Sequence, residues 1–259
     1  MALDLATYFD RIEYRGATSP TLETLKALHL AHATHIPFEN LDVLLGRPIR
    51  LDLASVFAKL VANKRGGYCF EQNRLFASVL ESLGFSVTCL SARVQMGSAE
   101  PRPRTHMLLS VLIDQQPWLC DVGFGHEGLL HPILLQPGHE AEQFAWKYRI
   151  VERESVHILQ SLHPDGWFDL YRFTLEPHFP IDYEVANHYT STYPESRFRL
   201  NVITARPGPE RRLVLWNGVL TEQTATGKTE TKITGDEELL EVLRARFGLR
   251  FPPGTNFKI

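Results

Sequence analysis

The sequence predicts an α+β protein, with helices first, strands in the middle and a small mixed piece at the end. Three observations carry this. Apolar residues recur at helical spacing as far as Gly84, the period changes to that of strands from Phe85, and a hairpin signal plus one last amphipathic helix follow a loop at Arg206-Pro207-Gly208-Pro209-Glu210. The chain has 259 residues, 44% of them apolar, enough to build real cores, and shows no internal repeat.

The elements follow in order. Ser19 caps a helix that starts at Pro20, with Leu22, Leu25 and Leu28 on one face. Leu53, Val56, Phe57, Leu60 and Val61 form the stripe of a second helix. Leu75, Phe76, Val79, Leu80 and Leu83 form that of a third, stopped by Gly84. Phe85–Val94, Thr105–Ile113 and Trp118–Phe124 then read as strands, and strand-like runs continue to about Thr174. Asn217-Gly218 joins Leu213–Trp216 to Val219–Thr221 as a two-residue hairpin. Thr234 with Glu237 makes a capping box for a closing helix, whose stripe of Leu239, Leu240, Leu243 and Phe247 ends at Gly248.

Charge narrows the function. A formal net charge of −3 gives no basic field for nucleic acid or an anionic membrane, and no run approaches a membrane span. The opening MALDLATYFDRIEYRG lacks the basic-then-apolar pattern of an export signal. Three cysteines, Cys69, Cys89 and Cys120, have no metal-type spacing, so a reduced, cytoplasmic protein without a metal is expected.

Cys69 stands at the head of the third helix, behind Gly66-Gly67. Unpaired N–H groups at a helix start favour a thiolate and stabilise a nearby oxyanion, and Arg65 adds positive charge. Glu71 in the first turn supports the helix but opposes the thiolate. The segment alone is equally read as a buried, inert cysteine.

A nucleophilic cysteine needs a base, and the base an orienting group. His106 interrupts the apolar strand Thr105-His106-Met107-Leu108-Leu109, and Asp121 interrupts Trp118-Leu119-Cys120-Asp121-Val122. A turn at Asp114-Gln115 pairs residues whose numbers sum to 229. Leu108 then faces Asp121, with His106 its diagonal neighbour at roughly 7–8 Å. A turn shifted by half a residue puts the two on opposite faces. Cys120 points away from Asp121, and Cys89 reads as a buried strand residue. His29, His32 and His35 cannot share a metal, because the first and last point about 240° apart on a helix, and they read as a polar face. Gly227-Lys228-Thr229 lacks the upstream glycine of a phosphate-binding loop.

Cys69, His106 and Asp121 in that order, within RGGYCFEQN, THMLL and DVGFG, resemble the arylamine N-acetyltransferase family. IPFENLDV at Ile36–Val43, GRPI at Gly46–Ile49 and NHYTSTYPESRF at Asn187–Phe198 extend the resemblance to about residue 200. It implies a helical bundle over residues 1–84, a β-barrel-like domain over 85–190 and an α/β lid over 191–259, around a cysteine-protease-like Cys-His-Asp core. It implies ping-pong transfer of acetyl from acetyl-CoA, through a thioester on Cys69, to an arylamine or arylhydrazine, as in xenobiotic metabolism. By the same resemblance Phe38, Tyr68 and Phe124 line the acceptor slot; ordinary core packing is the alternative for all three and the favoured one for Tyr68. Thr105, Gly123 and Phe124 match contacts to the coenzyme's pantetheine arm. Arg102 and Arg104 offer charge to its phosphates or are simply solvated, and Glu39 pairs with Arg65. Rival readings are an amide synthase of the same family and a cysteine hydrolase or transglutaminase-type enzyme, which the same three groups would also serve.

Overall fold

Capping fixes where the first helices begin. A computed structural model describes residues 3–98 and 100–257. Helix α1, Leu5–Arg11, is capped by Asp4, and α2, Leu22–His35, is capped by Thr21, whose hydroxyl accepts the Thr24 N–H at 3.2 Å. The cap is thus Thr21 and not Ser19, and Pro20 stays outside, because extended Thr21 already presents an oxygen to the first turn. A short strand β1, Phe38–Glu39, leads into α3, Leu41–Leu44. Helix α4, Leu53–Phe57, runs on into a wider turn at Ala58–Ala62 with Val56, Leu60 and Val61 buried, as their spacing predicts. Helix α5, Cys69–Ser82, ends ahead of Gly84 at φ +87°, and Phe70, Phe76 and Leu80 on it are wholly buried.

The strands follow from Ser86. β2 (Ser86–Val94), β3 (Arg104–Ile113), β4 (Gln116–Cys120), β5 (Ile133–Leu134), β6 (Glu140–Gln143), β7 (Trp146–Arg153), β8 (Val156–His163) and β9 (Gly166–Phe173) form one antiparallel sheet in the order β5-β4-β3-β2-β9-β8-β7-β6. The turn at Asp114-Gln115, both at positive φ, sets the predicted register, with Leu109 opposite Cys120 and Val111 opposite Trp118. The predicted strand Trp118–Phe124 stops at Cys120, however, so Asp121, Gly123 and Phe124 lie on the loop that leaves it. Along β3, Met107, Leu109 and Val111 pack against the helices, whereas Leu108 points into the sheet's own core with Leu119, Tyr148 and Ile150.

This sheet is nearly closed, like a barrel, and a side chain bridges its seam. The buried Gln143 amide on β6 accepts the N–H groups of Leu130 and His131 just before β5, and donates to the His131 carbonyl. One amide thus satisfies main-chain groups that a further strand would otherwise take.

Helix α6, Pro180–Thr192, and α7, Arg197–Leu200, lead to the second sheet. Its strands β10 (Ile203–Arg206), β11 (Arg211–Trp216), β12 (Val219–Thr224) and β13 (Gly227–Lys232) follow β1 in the order β1-β10-β11-β12-β13. Asn217-Gly218 makes the hairpin with φ of 44° and 77°, and Gly227-Lys228-Thr229 is the start of an edge strand. The closing helix α8, Asp236–Phe247, ends at Gly248 as predicted, but the expected Thr234–Glu237 capping box does not form: Gly235 is the N-cap, and Thr234 donates its N–H and hydroxyl to Glu238. The sheets are tied by a buried ion pair, Arg212 Nη1 to Glu127 at 2.9 Å, with the guanidinium stacked on Trp146. No helix among the described residues is long and apolar enough to cross a membrane.

Candidate active site

Cys69 is the first residue of α5, and the segment before it is fixed by buried polar contacts. The Gln72 amide donates to the Pro37 carbonyl at 2.9 Å and accepts from His32, anchoring the strand-forming Pro37-Phe38-Glu39 to α5. β1 is in turn bonded to Gly67 on one side and to β10 on the other. A Cβ on Gly67 would lie 2.6 Å from the Glu71 carboxylate, so the approach before Cys69 needs glycine.

Glu71 does not oppose the thiolate as its position in the sequence suggests. Its carboxylate is neutralised by Lys59 Nζ at 2.7 Å, and the same ammonium lies 3.0 Å from Asp42. Carboxylate charge on both sides holds Lys59 protonated despite its burial. Arg65 completes the cluster, bonding Glu39 through Nε and Nη2 at 3.0 and 2.6 Å. The Glu39–Arg65 pair is as the family resemblance implied, whereas Lys59 carried no signal in the sequence.

His106 and Asp121 meet directly. His106 Nε2 donates to Asp121 Oδ2 at 2.6 Å, both residues being buried. Burial disfavours the imidazolium, but the adjacent carboxylate outweighs it and holds the His106 proton well above the ordinary imidazole range; the Cys69 sulfur adds to the shift. Burial likewise opposes the Asp121 charge, and His106 with the Asn73 and Gly123 hydrogen bonds keeps its carboxyl below the usual range. The Cys69 thiol donates to the Thr105 carbonyl at 3.6 Å, next to His106 in the chain. The other two thiols are poor nucleophiles: burial pushes Cys89 up to about 11 and lifts Cys120 well above the ordinary thiol value. Cys89 is only half buried, short of the full burial expected.

Two residues missed from the sequence organise Asp121. Asn73, one turn along α5 from Cys69, donates to Asp121 Oδ1 and to the Met107 carbonyl, and its oxygen accepts the Val122 N–H. His29 Nε2 accepts the Asp121 N–H. The histidines of α2 therefore do not make a polar face. His29 and His32 are wholly buried, and His32 is satisfied by Tyr8 and Gln72. Among the described residues no group of three or more metal-binding side chains stands together.

Cys69, Thr105, His106, Gly123, Phe124 and Phe38 wall one cavity of about 310 Å³. Strands β10 and β11 contribute Ile203, Ala205 and Val214 to its far wall. Tyr68 does not line it. The ring is fully buried beside Phe70 and Phe198 with its hydroxyl on Asn187, so the packing alternative holds and the acceptor-slot assignment is corrected. Arg102 lies at the cavity, whereas Arg104 is paired with Glu176 at 3.1 Å.

A family model described as N-acetyltransferase matches residues 21–254. Arylamine N-acetyltransferase of Escherichia coli is 40% identical over 93% of this chain and 87% of its own length. The crystal structure of Nocardia farcinica arylamine N-acetyltransferase superposes with a TM-score of 0.92 at 42% identity, covering 96% of this chain and 90% of that one. The Mycobacterium marinum arylamine N-acetyltransferase in complex with CoA superposes with a TM-score of 0.91 at 35% identity, over 95% and 92% of the two chains.

Proposed function

Because the chain belongs to the arylamine N-acetyltransferase family, we propose that it carries acetyl from acetyl-CoA to an arylamine or arylhydrazine through a thioester on Cys69. The observation that supports this best is the hydrogen bond between His106 and Asp121 beside a cavity that Cys69 also walls. In the first half-reaction the Cys69 thiolate attacks the acetyl carbonyl and the C–S bond to coenzyme A breaks. The departing thiolate takes the His106 proton. The oxyanion in between faces the unpaired N–H groups of the first turn of α5. In the second, the amine attacks the thioester, His106 takes a proton from the nitrogen, and Cys69 leaves as thiolate with the amide formed.

Asp121 keeps Nε2 protonated throughout, so Nδ1 does the proton transfer. Thr105, Gly123 and Phe124 would contact the pantetheine arm, and Phe38 and Phe124 the arene. Residues 1–84 supply the nucleophile, 85–190 the base and its partner, and 191–259 a lid over the cavity. The test is to acetylate the protein, remove coenzyme A by gel filtration and add an aniline or phenylhydrazine. Acetylated product in amount equal to the enzyme supports the reading. Cleavage of peptide amides with no acetyl transfer would replace it with the hydrolase reading, and transfer of only longer acyl groups with the amide synthase one.

A further inference from the structure

His29 stands on α2, 92 residues before Asp121 in the chain, yet its imidazole meets the main chain of that residue. The ring is wholly buried and lies edge-on to Phe76, with centroids 5.7 Å apart. Its Nε2 accepts the Asp121 N–H at 3.1 Å, which requires Nε2 to be bare and the proton of the neutral ring to sit on Nδ1. Burial enforces neutrality, holding the ring's pKa at about 4 against the pull of the Asp121 charge; His131 and His32 are the other titratable groups that face it.

The place of this bond matters. The β3–β4 ladder ends at Leu109–Cys120, and the next N–H goes to the imidazole instead of to a strand. There the chain leaves the sheet for the loop carrying Gly123 and Phe124, while the side chain of the same residue bonds His106. We infer that His29 is a positioning residue for the triad, a neutral acceptor that fixes the peptide from which the Asp121 carboxylate projects. This rests on the triad reading above and extends it. A histidine that only filled space would leave Asp121 indifferent to whether its replacement accepts a hydrogen bond.

Two polar replacements separate these roles. In His29→Gln the amide oxygen reaches the position of Nε2, whereas in His29→Asn it reaches only that of Nδ1. Single-turnover acetylation of Cys69 by acetyl-CoA and the pH profile of Cys69 alkylation by iodoacetamide are measured alongside thermal unfolding. His29→Asn is expected to slow acetylation roughly tenfold to a hundredfold and to move the onset of alkylation to higher pH, as a displaced carboxylate supports the imidazolium less. His29→Gln should restore both. Equal behaviour of the two variants, or failure of both to fold, overturns the inference and leaves His29 a packing role. Wild-type protein that gains no acetyl group on Cys69 defeats the triad reading instead.

Discussion

Asn73 Nδ2 donates to Asp121 Oδ1 at 3.0 Å, so the helix that begins with Cys69 also grips the carboxylate that orients His106. Nucleophile and orienting group are thereby referred to one rigid element, which limits how far they can drift apart. Replacing Asn73 by Leu strips the Met107 carbonyl and the Val122 N–H of their partners as well. We expect a loss of about 2–4 kcal/mol in urea unfolding with little change in slope, and slower acetylation in the folded protein.

Asp121→Asn keeps an oxygen for Asn73 and Gly123 but turns an amide N–H₂ toward His106. Nε2 must then become an acceptor, which removes the tautomer the proton transfer needs. Thioester formation should fall by roughly 10²- to 10⁴-fold while thermal unfolding changes little. Near-normal rates in this variant would take Asp121 out of the mechanism.

Much of this site was legible because its determinants are local. Asp114-Gln115 tolerates positive φ, so the turn alone fixes the register that brings His106 and Asp121 together. What escaped notice depends on distant partners. His32 reads as polar until Tyr8 and Gln72 satisfy it. Lys59 carries no signal in the sequence, because its partners Glu71 and Asp42 are brought to it only by the fold. Strand β13 has no buried residue and hence no alternation, so only its pairing with β12 reveals it. Helix α6 did carry a signal, Pro180 at its first position and Asp182 accepting the Phe179 N–H, but its face at Ile181 and Val185 is exposed and gives no stripe.

Lys59→Met should be costly because it leaves the Glu71 carboxylate buried without its cation. A loss of about 3–5 kcal/mol is expected. Adding Glu71→Gln should recover a large part of it, as measured by a double-mutant cycle in urea. Additive losses would show that Lys59 acts elsewhere.

Acid should weaken the fold well above the carboxylate range. His29 and His32 are held at about 4 and about 3, so below the ordinary histidine value the unfolded chain takes up protons that the folded one refuses. Stability then falls as pH drops from about 6.5 towards 4, by on the order of 3 kcal/mol per imidazole. Asp121, depressed in the fold, adds its loss only lower, as pH falls through its folded value. Burial also holds His126 at about 4. Urea midpoints across this window check the slope, and His32→Gln should therefore reduce it by roughly a third. Midpoints constant from pH 7 to 4.5 would contradict the assignment.

Gly123 packs its backbone on Cys69, and a Cβ there would stand 2.7 Å from the Cys69 Cα and from Asn73 Nδ2. Gly123→Ala should therefore cost about 1–3 kcal/mol and slow acetylation sharply by pushing the loop off the cysteine. Thermal unfolding and acetylation rates measured together decide this, and wild-type values for both would place the contact outside the working geometry.

The most direct measurement is the intact mass of the protein after acetyl-CoA is added without an acceptor, followed by peptide mapping. One acetyl group on Cys69, absent from Cys69→Ser and lost when an arylamine is supplied, is the predicted result. Acetylation of Cys89 or Cys120 alone, or none at all, would contradict it.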